Sequence, residues 1–189
     1  MLGLLALPAF AGTVNMQFTG LPTGNNYAGI ASYPYDISVN GGPSQWMMCI
    51  GYFEHIEGWE TWQANMVSIG SLDPVTDKKY YEAAFLFKMA VTDGGADSYV
   101  NAAVWNLLEG QPCLTTSAQA LQDLAAIQTY TAGEFSNVLL YKAVAGTESV
   151  KGLGTAQDFL SATPEPGTLV LLGSGLIGLS GMLRRKFRG

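Results

Sequence analysis

Cys49 and Cys113 are the two cysteines of this chain and His55 is its one histidine. A catalytic triad needs a histidine, so His55 is the only residue that could serve as its base. Nothing around Glu54-His55-Ile56-Glu57 has the form of a nucleophile elbow, and no Gly-x-Ser-x-Gly occurs. His55 therefore reads as a surface residue at a strand end, and no catalytic residue is assigned. Zinc needs three or four His, Cys or carboxylate ligands at close spacing. The sequence has no such cluster. Asp73 with Asp77, and Asp93 with Asp97, put paired carboxylates into loops. Both pairs lack the alternating oxygen ligands and central glycine of an EF-hand. No metal and no cofactor is expected, and no glycine-rich phosphate loop links a strand to a helix.

A second kind of chemistry is stacking. Tyr33, Tyr35, Trp59 and Trp62 form a surplus of aromatics. Such rings stack on sugars if they are exposed, which makes a carbohydrate-binding module an alternative to a purely structural protein. In the core they would instead be packing.

The elements that must position these residues begin with β structure. Val14, Met16 and Phe18 alternate with Asn15, Gln17 and Thr19, the period of a half-buried strand. Leu21 to Asn26 is turn chemistry. Tyr27 to Val39 contains Pro34, so it reads as an edge strand or two short ones. Gln45 to Phe53 is apolar on both faces and reads as a central strand. Trp46, Met48, Ile50 and Tyr52 would point one way, and Met47, Cys49 and Phe53 the other.

The middle changes period. Lys79 to Val91 lacks Gly and Pro and reads as a buried helix. Asp97 is placed to cap a second helix with the stripe Val100, Ala103, Val104, Leu107 and Leu108. Gly110 and Pro112 stop it. Thr116 with Gln119 predicts a capping box for a third helix, with Leu121, Leu124 and Ala125 inward. Phe135 to Val144 returns to strand. These elements predict an α+β fold: an antiparallel β barrel or sandwich with an inserted helical group.

The two ends carry signals of another kind. Met1 to Ala11 is apolar throughout and closes on Ala9-Phe10-Ala11, the end of a secretory signal peptide cut before Gly12. At the other end Pro164-Glu165-Pro166 is a short stiff element. Thr168 to Leu183 is uncharged, and Arg184, Arg185, Lys186 and Arg188 follow it. An apolar run closed by cations is a membrane segment with a cytoplasmic C-terminus. At about 1.5 Å per residue the run through 168–183 spans roughly 24 Å, short for a hydrocarbon core of about 30 Å. The predicted organisation is a signal peptide remnant at 1–11, an exported body at 12–145, a linker at 146–163, and a sorting and anchor segment at 164–189.

The net charge is −6, and four of the nine basic residues lie in the tail. The body is thus distinctly acidic. That argues against nucleic acid, whose binding depends on neutralising phosphates, and against docking on anionic lipid.

In order and spacing, the tail resembles the PEP-CTERM sorting domain of bacterial exported proteins: Pro164-Glu165-Pro166, then the apolar helix, then the basic cluster. The resemblance implies an exosortase as partner, an integral-membrane cysteine protease or transpeptidase that cuts near the PEP element. It implies transient anchoring in the inner membrane and then a cell-surface or extracellular destination, with exopolysaccharide as a further candidate partner. It gives no enzymatic role.

The body, over roughly Gln45 to Gly110, resembles bacterial thioester domains. The resemblance is carried by a strand Cys49, then Gly58, Trp59 and Trp62, then Tyr81-Glu82-Ala83-Ala84, then a helix bearing Ala-Val-Trp at 103–105. In that family the cysteine and a Gln four residues before the Trp form an internal thioester that traps amines. Cys49 stands at the cysteine position, and Asn101 stands where the family has Gln. Asn is one methylene shorter. Three states of Cys49 are open: a disulfide with Cys113, a free thiol, and a thioester with Asn101. Export favours the disulfide. By closing a loop of about 65 residues it would contribute roughly 4 kcal/mol in the chain-entropy model. The expected role is structural or adhesive, with a carbohydrate-binding module and a thioester-type covalent adhesin as alternatives.

Overall fold

The structure, a computed structural model, describes residues 12–21, 26–27, 29–92, 98–110, 115–152 and 154–163. Among them, six strands close into an antiparallel barrel: β1 (Gly12–Gly20), β4 (Tyr35–Val39), β5 (Ser44–Cys49), β8 (Phe159–Ala162), β7 (Val138–Ala143) and β6 (Thr61–Ser68), in that spatial order. β2 (Asn26–Tyr27) and β3 (Ile30–Ala31) form a separate small ribbon. Three helices, α1 (Lys78–Thr92), α2 (Ser98–Glu109) and α3 (Thr116–Ala126), lie between β6 and β7. The fold is thus α+β, a barrel with an inserted helical group. The segments read as export signals, 1–11 and 164–189, lie outside the described residues, as do the PEP element, the run 168–183 and the basic cluster. No helix among the described residues is long and apolar enough to cross a membrane.

Period-2 patterning sets the barrel register. Val14, Met16 and Phe18 are buried while Asn15 is exposed, as the alternation requires. Met16 pairs with Trp62, Tyr35 with Met47, and Cys49 with Phe159. Residues paired across strands share a face, so these side chains fill one interior. Their rings meet there. Trp62 stacks on Phe159 at 6.0 Å between centroids, and Tyr35 meets the same ring edge-on at 5.6 Å. On the opposite face Met48, Leu160 and Leu140 align in register and are buried too. The helical layer covers this side: Tyr80 of α1 reaches Lys142 of β7 at 3.3 Å.

The two central helices are apolar almost all round. α1 buries Tyr81, Ala83, Ala84, Leu86 and Phe87, and α2 buries Val100, Ala103, Val104, Trp105 and Leu107. Glu82 is the buried exception on α1 and pairs with Lys78 at 3.2 Å. Gly110 ends α2 at φ 70°, a conformation in which Gly has no steric penalty.

Several expectations are corrected. Tyr35–Val39 is not an edge: it pairs with both β1 and β5, because Pro34 lies just before it and costs no ladder hydrogen bond. The strand expected over Gln45 to Phe53 stops at Cys49, and both Trp46 and Phe53 are exposed. The third helix is capped by Thr115, whose Oγ1 accepts the Ala118 N–H at 3.4 Å, rather than by Thr116. Its inward residues are Ala118 and Ala125, while Leu124 is exposed. The Asp97 cap lies outside the described residues. The stretch 146–163 is not a free linker, because Phe159–Ala162 closes the barrel between β5 and β7. The body therefore runs on to about residue 163.

Candidate functional site around Cys49

β5 delivers Cys49 to its C-terminal end, where the chain leaves the barrel under α2. Cys49 is fully buried and carries a free thiol whose Sγ donates to Gly51 O at 2.9 Å. Burial pushes the thiol well above its ordinary range. The nearby Glu54 and Glu109 carboxylates add to the rise, and the Trp105 indole and the Gly51 backbone only partly oppose it. A nucleophilic cysteine needs the thiolate, and this environment holds the neutral form. Cys113, the other half of the expected disulfide, lies outside the described residues.

α2 delivers Asn101 to the same place. Its side chain is completely buried. Oδ1 accepts the Tyr33 N–H at 2.7 Å, and Nδ2 donates to the Cys49 carbonyl at 2.7 Å. The pair singled out from sequence is therefore brought together, with the amide directed at the Cys49 backbone. One turn on, Trp105 is buried and meets Tyr52 edge-on at 5.4 Å. Its Nε1 has no oxygen or nitrogen partner.

A carboxylate pair lies beyond Gly51. Glu109, at the end of α2, accepts the Tyr52 and Phe53 N–H groups through Oε2 at 2.8 and 3.3 Å. Glu54 turns back over Gly51, where a Cβ would clash with its carboxylate. A side chain at this position would push the Glu54 carboxylate aside. Glu54 Oε2 is buried without a hydrogen-bond partner. Burial raises its pKa first, and the Glu109 carboxylate raises it further. Asp158 is also raised by burial. With Lys79 and Tyr80 these carboxylates line a cavity of about 270 Å³.

The remaining candidates separate cleanly. His55 is exposed. Asp73 caps its own turn, its Oδ1 accepting from Val75 N and Thr76 N, while Asp77 accepts from Asp73 N. Those carboxylate oxygens are spent on backbone. Asp93 and Asp97 lie outside the described residues. Of the four aromatics expected to stack on sugar, Tyr33, Tyr35 and Trp62 are core, and Trp59 alone is exposed, at 70%. The carboxylate pair went unread because Glu54 and Glu109 are far apart in sequence, and only the turn after Cys49 joins them.

The described body is a helix-bearing antiparallel barrel whose buried thiol and amide sit at the barrel–helix junction. Residues 162–186 match the PEP-CTERM protein-sorting motif. Among solved structures the fold is similar to the N-terminal thioester domain of a surface protein from Clostridium perfringens. That match has 11% identity and a TM-score of 0.46, covering 79% of this chain and 98% of that one. A comparison with curated proteins finds no match.

Proposed function

We propose that the protein is exported, sorted through its C-terminal segment by an exosortase, and released to the cell surface or extracellular matrix as a structural or adhesive body without enzymatic activity. The observation that carries this reading is the sorting motif at 162–186, which begins where the barrel ends at Ala162. A cut near Pro164-Glu165-Pro166 would free a closed barrel with no strand removed. The raised thiol of Cys49 and the backbone engagement of Asn101 favour a structural role for that pair over covalent capture of amines. In this reading residues 168–183 hold the chain in the inner membrane during transit, with Arg184, Arg185, Lys186 and Arg188 on the cytoplasmic side. The test is the C-terminus of the protein recovered outside the cell. Release near the PEP element is expected, and a chain retaining its basic end would contradict it.

A further inference from the structure

The outer face of β1 and β6 has no part in the site around Cys49. Asn15 and Gln63 are partners in register, as are Gln17 and Thr61, and Gln17 also pairs with Ser38 of β4. Their side chains therefore share one face, with cross-strand neighbours about 5 Å apart. With Gly41 of the β4–β5 turn and Thr147 of the loop after β7, they line an open groove of about 560 Å³. That is within the range of small-molecule sites, about 300–1,000 Å³.

The chemistry of this groove is narrow. No ionisable residue lines it, although the chain carries a net charge of −6. Its polar walls are amides and hydroxyls, Asn15, Gln17, Ser38, Thr61, Gln63 and Thr147, beside Met16, Gly41 and Trp62. The hydroxyls of Ser38 and Thr147 are spent on Gly42 O and Val144 O. The side-chain amides of Asn15, Gln17 and Gln63 make no hydrogen bond to the described protein. Each offers an acceptor and two donors in one plane, the match for adjacent hydroxyls. Trp59 lies two residues before the groove residue Thr61 in the chain. It is 70% exposed at φ 66°, with its N–H fixed on Phe18 O at 3.1 Å. Holding a large non-glycine residue there costs backbone energy.

We propose that this groove binds a neutral oligosaccharide, with the free amides of Asn15, Gln17 and Gln63 reading its hydroxyls and Trp59 stacking on a terminal ring. An anion would meet no cation here and a metal no carboxylate. The inference goes beyond the sorting reading and does not depend on it, because it concerns the purified protein rather than its route.

The test uses the full chain in a sugar-free detergent. The probes are neutral gluco-, galacto- and manno-oligosaccharides, from disaccharides to hexasaccharides, beside uronate- and sulfate-bearing counterparts. Binding of at least one neutral series is expected, unaffected by salt because no charge lines the groove. Gln17→Ala and Gln63→Ala should each weaken it by about tenfold, the loss of their hydrogen bonds to the sugar. Both side chains lie outside the core, so the variants keep the fold, which circular dichroism checks. Absence of neutral-sugar binding at millimolar concentration would overturn the proposal. So would binding that both variants leave unchanged, or selection of the anionic series alone.

Discussion

Asn101 donates its Nδ2 hydrogen to the Cys49 carbonyl at 2.7 Å, and the same amide accepts the Tyr33 N–H at 2.7 Å. One buried side chain thus ties α2 to the end of β5 and to the segment leading into β4. Asn101→Ala would leave a buried N–H and a buried carbonyl without partners. A destabilisation of about 2–5 kcal/mol is expected, since each orphaned group costs about 1–3 kcal/mol. Asn101→Asp should also destabilise, because it sets an acceptor against the Cys49 carbonyl. Urea unfolding measures both. A loss below about 1 kcal/mol for Asn101→Ala would mean that the clamp is not formed.

The same geometry predicts the chemical state of the pair. Intact mass of the protein should show no loss of ammonia, because the Asn101 amide remains whole. Cys49 should resist alkylation in the native state and react on unfolding, as burial holds its thiol neutral. Ammonia loss abolished by both Cys49→Ala and Asn101→Ala would make this a covalent adhesin.

Trp105→Ala should cost about 3–5 kcal/mol, the range for removing a large buried aromatic. Trp105 is 1% exposed and packs against Tyr52. A near-zero change in the unfolding midpoint would place it outside the core.

Glu54 predicts a pH dependence. Its folded pKa is raised by burial and by Glu109, with Asp158 adding to the rise. A carboxyl group with a raised folded pKa contributes stability below the ordinary carboxylate range, and that stability is lost as pH rises through the raised value. Glu54→Gln imitates the protonated form. It should raise Tm at neutral pH, match the wild type in acid, and flatten the slope between. A residual slope of the same sign is expected from Asp158, also raised. A Tm at neutral pH below that of the wild type would contradict this account.

The strands and helices with clear periods were legible. Val14, Met16 and Phe18 gave β1, and the stripe through Val100 and Val104 gave α2 with its buried face. β6 went unread, although Trp62 and Ala64 alternate with Thr61, Gln63 and Asn65 and Gly58 sits in the turn before it, because Gly58, Trp59 and Trp62 drew the stretch into an aromatic motif instead. β8 was hidden for another reason. Only four residues long, it lies in a Gly- and Thr-bearing stretch and becomes a strand because the barrel edges on either side need a partner. The Cys49–Asn101 contact was suggested by a family pattern, but its hydrogen bonding depends on the angle at which α2 meets β5. That angle is a tertiary property with no local signature. The amide groove could have been noticed from the polar alternants of β1, but its partner strand β6 was missing from the reading.

The central claim is that residues 162–186 serve as a sorting handle that is removed once the barrel has been exported. C-terminal peptide mapping of protein recovered outside the cell tests it directly. The account predicts an end between Thr163 and Gly167, and accumulation of unprocessed chain when residues 184–188 are deleted. Mature extracellular material that still carries Phe187 would contradict it and make the tail a permanent anchor.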